Sequence, residues 1–410
     1  MRFHAGSIDY GGAGLNLAGV KRTTSAVGLA LLGLTALSVV AADKVHIDVA
    51  ALDRERVVKA ADEFLAERPV TVTAFKAERS TGGIHDFFSE GDYWWPNPKD
   101  PAGPYVQRDG MTNPENFVAH RHAMIRMSIQ VATLTAAYKI SGERKYADHA
   151  IEHLRAWFVD EKTRMNPNLQ YAQAIKGVST GRGIGIIDTV HLIEPARSAQ
   201  ILAARGVLQG EDLAAVKKWF ADYVHWMTTS KNGLDEKKAK NNHGTCWVMQ
   251  VAAFASFTGD EKQLAECRRR YKEVLLPDQM AKDGSFPLEL KRTKPYGYSL
   301  FNLDAMATVC HILSTPGDDL WEYSTADGRD MHKAAEFMYP YVKDKNTWPF
   351  QKDVMFWEFW PVRSPGMLFP GLAYGEQKYI DLWKTLEANP TNEEVIRNLP
   401  IRQPVLWVGE

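Results

Sequence analysis

The chain has 410 residues, with 45% apolar and 24% charged residues and a formal net charge of −1. Those proportions belong to ordinary soluble globular proteins and exclude disordered, collagen-like and membrane-spanning classes. With no long Lys/Arg run a nucleic-acid partner is not expected, although a local cationic cluster in a neutral protein can hold a polyanion.

The first element in chain order is a segment with Lys21 and Arg22, an apolar run from Ala26 to Val40, then Ala41, Ala42 and Asp43. That is the charged, apolar, small-residue order of an export signal, with cleavage expected after Ala42, and the run is short for a membrane span. Residues 1–20 are Gly-rich and weakly charged, which points to translation starting at Val20. Residues 1–42 are therefore set apart, and 43–410 are read as one domain in the bacterial periplasm or outside the cell.

From there the pattern is helix after helix. Apolar residues recur at helical spacing over 53–67, 116–140, 145–158, 185–205, 211–228, 242–257, 260–275, 299–313, 329–343 and 375–388. Strand signals are few, and no alternation of strands and helices appears, so a doubly wound sheet is not expected. Ser141-Gly142-Glu143 and Thr258-Gly259-Asp260 each end one helix and open another, as repeated helical hairpins do. Such hairpins stack into a solenoid or close into a toroid, and a toroid suits an enzyme better because its inner helices end around a cleft. The long Gly-, Pro- and aromatic-rich stretches 68–115, 159–184 and 277–298 are expected to line that cleft.

Within these stretches lie the residues that carry chemistry. Asn241-Asn242-His243 opens an apolar helix, where amide and imidazole groups can point donors at an anion and the helix dipole adds attraction. Arg292, Tyr296 and Tyr298 follow in a patch with Lys291 and Lys294, both read as solvated. A guanidinium binds a carboxylate bidentately, and a nearby cation is expected to lower a phenol's pKa. The loop holding Tyr93, Trp94, Trp95 and Arg108 is a sugar platform or lid, in keeping with twelve Trp, fifteen Tyr and seventeen Phe in the chain. Gly181-Arg182-Gly183-Ile184-Gly185 follows no convincing strand, so a nucleotide loop is rejected. His149 and His153, four apart, lack the glutamate of a zinc-protease motif and are read as structural. The cysteines Cys246, Cys267 and Cys310 have no CxxC spacing and an odd count, so neither a disulfide framework nor a metal site is expected.

Taken together, Asn-Asn-His at 241–243, the Arg292–Tyr298 patch, Tyr-Trp-Trp-Pro at 93–96 and Gly-Arg-Gly-Ile-Gly at 181–185 resemble the alginate lyase superfamily. The resemblance covers roughly residues 80–315. It implies an all-α fold, an incomplete (α/α) toroid or barrel of helical hairpins, and cleavage of a mannuronate or glucuronate polymer by β-elimination. By position it implies catalytic roles for Asn242, His243, Arg292 and Tyr298. Substrate contacts are expected from Asn241, Tyr296, Tyr93, Trp94, Trp95, Arg108, His120, Arg121, Gln173 and Arg182.

The chemistry must remove the proton at C5, beside the sugar carboxylate, and expel O4. Asn242, His243 and Arg292 would neutralise the carboxylate, and Tyr298 as phenolate would take the proton and return it to O4, with His243 as the alternative base. No metal or cofactor is required when Arg292 supplies the positive charge. An anionic polysaccharide is the expected partner, with no membrane contact after signal removal and a monomer or weak oligomer. Two rivals stand beside this reading: a glycoside hydrolase using Asp283 and Glu289, which otherwise read as a turn residue and a solvated one, and a non-catalytic polysaccharide-binding protein.

Overall fold

The computed structural model describes residues 45–409, so the expected export segment lies outside the described residues. Fifteen α-helices are found among them. They are α1 (Val49–Phe64), α2 (Ala119–Ser141), α3 (Arg144–Phe158), α4 (Ile193–Ala204), α5 (Gly210–Thr229), α6 (Lys231–Lys237), α7 (Asn242–Thr258) and α8 (Glu261–Arg270). There follow α9 (Leu276–Gln279), α10 (Pro287–Leu290), α11 (Pro295–Leu313), α12 (Met331–Lys343), α13 (Pro365–Tyr374), α14 (Gln377–Thr385) and α15 (Glu393–Arg397).

Burial sorts the helices into two layers. In α7 the residues Val248, Met249, Val251, Ala252, Phe254 and Ala255 are all fully buried, and α11 and α2 are buried almost all round as well. A helix apolar on every face has to sit inside. Accordingly α2, α4, α7, α11 and α13 pack one against the next as an inner row. The outer row α1, α3, α5, α8, α12 and α14 shows each inner helix a single apolar stripe, and its members pack on α2, α2, α7, α7, α11 and α13 respectively. This is an all-α, incomplete toroid, as expected.

Local chemistry sets most of the boundaries. Gly142 (φ 75°) and Gly259 (φ 80°) terminate α2 and α7 in the left-handed conformation that only glycine adopts freely. Asp260 then caps α8 by accepting from Gln263 N, whereas Glu143 makes no side-chain cap on α3. Pro295 stands at the first position of α11, where a missing N–H costs nothing, and starts that helix four residues earlier than periodicity predicts. The expected helix over 185–205 is a 3-10 run Gly183–Leu192 followed by α4. Two short sheets complete the fold: β1 (Phe88–Glu90) pairs in parallel with β4 (Tyr171–Ala174), and β2 (Trp94–Trp95) pairs antiparallel with β3 (Val106–Gln107).

Two carboxylic acids are sealed into the core. Asp304 on α11 accepts from Ser364 Oγ and Gly366 N at 2.7 Å each, and burial pushes it up from 3.8 to about 7. Glu194 on α4 is likewise pushed by burial from 4.5 to about 7. A raised folded-state pKa means stability that is complete below the unfolded value and lost as pH climbs through the folded one. Asp304→Asn keeps an acceptor for both donors and cannot ionise. We therefore expect its stability relative to the wild type to improve by roughly 2 kcal/mol between pH 5 and pH 8, as thermal unfolding at the two pH values will check.

Candidate active site

All three long loops and the ends of two inner helices meet at a cleft of about 430 Å³. From the first loop come Tyr93, Trp94, Gln107 and Asp109; Gln173 and Arg182 come from the second, and Arg292 from the third. The helix starts add Asn242 and His243 from α7 and Tyr298 and Phe301 from α11, with Asn241 just before α7.

The Asn-His pair is held from behind by two buried carboxylates. Asn242 donates both its backbone N–H and its side-chain Nδ2 to Glu289, each at 2.7 Å. His243 Nδ1 lies 2.7 Å from Glu236 Oε1, and the Glu236 side chain is wholly buried. With Nδ1 donating to that carboxylate, the ring orientation is fixed and Nε2 is the nitrogen left for chemistry. The following residue must be small, because a Cβ on Gly244 would stand 2.2 Å from the Ala239 carbonyl oxygen. Glu289 is therefore not the solvated residue expected from sequence. It is 1% exposed, and burial raises its pKa against the opposing hydrogen bonds from Asn242.

In the same cleft, the Arg292 guanidinium carbon stacks 4.3 Å from the Tyr298 ring centroid, and its Nη2 donates to the Tyr298 hydroxyl at 3.2 Å. The Tyr298 hydroxyl also shares a 2.6 Å hydrogen bond with the Tyr93 hydroxyl. The same guanidinium is bidentate on Asp109, through Nη2 at 2.8 Å and Nε at 3.3 Å. Proximity of cations was expected to lower the Tyr298 pKa, and the opposite is found. Burial and the neighbouring Tyr93 raise it well above 10, outweighing Lys294 and Arg292, so Tyr298 is a neutral phenol in this environment.

A family model described as alginate lyase matches residues 71–348. The chain belongs to the alginate lyase family. An alginate lyase from Bacteroides ovatus is 31% identical, with a TM-score of 0.76 over 88% of this chain and 94% of that one. Alginate lyase A1-III from Sphingomonas species A1 shares the fold at 17% identity and a TM-score of 0.53, over 89% of this chain and all of that one. A histidine-to-alanine variant of that enzyme complexed with a tetrasaccharide gives 18% identity and a TM-score of 0.54, over 86% and 94%. No curated protein matches. The chain is thus a polysaccharide lyase.

Several expected contacts of this alginate lyase family member lie elsewhere. Tyr296 points into the core, fully buried between Trp348 and Trp357, with its hydroxyl donating to Tyr341 O. A tyrosine two residues before Tyr298 on a helix faces about 160° away, so both cannot face one cleft. His120 is buried, accepting from Phe88 N at 3.0 Å with Nε2 on Phe75 O, and serves to anchor β1. Trp95 and Arg108 stack on each other at 5.0 Å outside the cleft. His149 Nε2 lies 2.9 Å from Glu67 O and 3.4 Å from His153 Nε2, away from the cleft.

Arg121 does not reach the cleft surface. It is sealed behind it, paired with Asp92 at 2.7 Å and Asp188 at 3.3 Å, and Arg397 completes the cluster on Asp92 at 2.6 Å. Lys294, read as solvated, is 4% exposed and paired with the buried Glu394; Lys291 is exposed. These ions are invisible as a group in sequence because they come from five distant segments. Removing one member leaves uncompensated buried charge, so Arg121→Ala is expected to cost about 3 kcal/mol in chemical denaturation.

Proposed function

We propose that this lyase cleaves a 1,4-linked β-uronate polymer, mannuronate-rich alginate or glucuronan, by β-elimination. The observation that carries the reading is the Tyr298 hydroxyl set 3.2 Å from Arg292 in the cleft that Asn242 and His243 also line. The Bacteroides relative is named an alginate lyase, and the same substrate class is proposed here.

In the reaction the C5–H bond breaks, its electron pair forms the C4=C5 double bond, and the C4–O4 bond breaks as O4 gains a proton. In β-mannuronate and β-glucuronate, H5 and O4 share one ring face, so one group can serve both. Tyr298 is that group in our reading. As a neutral phenol it must first yield its proton, and we assign His243, oriented by Glu236, as the acceptor. The imidazolium so formed adds positive charge where the carboxylate and the developing enolate need it, together with Asn242 and Arg292. We assign Asn241, Tyr93, Trp94, Gln173 and Arg182 to substrate contact.

The hydrolase alternative loses support in the geometry. Both Glu289 oxygens are occupied by Asn242, and Asp283 is held in a turn by Ser285 N and Oγ. Incubation with polymannuronate, polyguluronate, glucuronan and hyaluronan, followed by ultraviolet absorbance, tests the reading: elimination leaves a conjugated double bond and hydrolysis does not. Absence of that absorbance on all four would remove it. From residues 21–42 we also infer an exported protein, which amino-terminal sequencing of the mature form would test.

A further inference from the structure

Asp109 lies on the loop after β3, in the wall of the cleft, with about a third of its side chain exposed. It holds Arg292 by the Nε/Nη2 edge and accepts a further hydrogen bond from Thr293 Oγ1 at 3.0 Å. Among the described residues Arg292 Nη1 donates no hydrogen bond, and Nη2 donates to Tyr298 as well as to Asp109. A single free nitrogen cannot form the fork that makes arginine selective for carboxylates. An incoming uronate therefore meets an arginine whose carboxylate-reading edge is filled by a carboxylate.

Accepting the proposed function, we propose that Asp109 is a built-in competitor for the sugar carboxylate, and that productive binding exchanges one carboxylate for the other on Arg292. The two ion pairs in this region differ in whether such an exchange is physically open. Asp92 is 5% exposed and gripped by both Arg121 and Arg397, so it cannot be displaced without leaving charge buried. Asp109 has water on one side and sits on a loop. Burial works to raise its pKa, but the Arg292 hydrogen bond and charge outweigh this and keep it ionised, so the competitor is charged at neutral pH.

The exchange sets a threshold that only an acidic sugar crosses. A neutral sugar offers Arg292 nothing better than Asp109, and a lone uronate must win the exchange without help from neighbouring units. A polymer brings those neighbours. Asp109 is on this view a specificity-determining residue whose removal strengthens binding.

The test is Asp109→Asn, which keeps the shape and the Thr293 contact but weakens the grip on Arg292. We expect KM on the best polyuronate to fall about tenfold with kcat within about twofold, the size of effect that follows from losing one charge-assisted contact that competes with substrate. Sodium glucuronate should bind the variant tighter by a similar factor in calorimetry, whereas a neutral methyl glycoside should not change. Unchanged or raised KM, or a large fall in kcat, would show that Asp109 orients Arg292 and would overturn the proposal. Thr293→Ala, which loosens Asp109 without touching its charge, should shift KM the same way by about threefold, and decides the matter if Asp109→Asn fails to fold by circular dichroism. The calorimetry keeps the two proposals apart: a wild type that makes no unsaturated product refutes the function, while glucuronate still reports on the exchange.

Discussion

Tyr298→Phe is expected to lower kcat by roughly a thousandfold, with oligosaccharide affinity changed by no more than a few fold. The substitution removes only the hydroxyl that hydrogen-bonds to Tyr93 and Arg292, and keeps the ring on which the guanidinium stacks at 4.3 Å. The cleft wall therefore survives and the proton carrier does not. Steady-state kinetics with parallel calorimetry on a saturated oligouronate will separate the two quantities. A rate near that of the wild type would take Tyr298 out of the reaction.

His243→Ala is expected to cost a comparable factor, on the order of a thousandfold, and Glu236→Gln a smaller one of about ten to a hundredfold. The difference in size is diagnostic. Glu236 touches His243 only through Nδ1 at 2.7 Å, so its loss misaligns the ring without removing it. Because burial holds the Tyr298 phenol well above its usual value, proton transfer at neutral pH depends on an acceptor. With His243 in that role, His243→Ala should leave a residual rate that climbs with pH as hydroxide ionises the phenol. A His243→Ala profile parallel to that of the wild type would assign the acceptor role elsewhere.

Four of the five inner helices were legible in the sequence because burial on every side leaves an unbroken apolar pattern, as in α7 and α11. Periodicity missed α13, since Pro365, Gly366, Pro370 and Gly371 oppose helix and only packing against α11 and α14 sustains it. It also missed the short helices α6 and α15, which carry Glu236, Glu394 and Arg397. Asn242, His243, Arg292 and Tyr298 could be picked out since each sits in a dense local motif at a helix start. Their supporting carboxylates could not. Glu289 looked like a surface residue three positions from an arginine, and nothing in its neighbours announces that Asn242, 47 residues away, takes both its oxygens. The sense of the Tyr298 shift was misjudged for the same reason: nearby cations are visible in a string of letters, whereas loss of water is not.

One wall of the cleft comes from far along the chain. Glu394, Arg397 and Asn398 reach it from α15, while the partners they neutralise, Asp92 and Lys294, are made long before. A ribosome that has not yet passed Glu394 holds a polypeptide whose Asp92 has only Arg121 for company and whose Lys294 has no counterion.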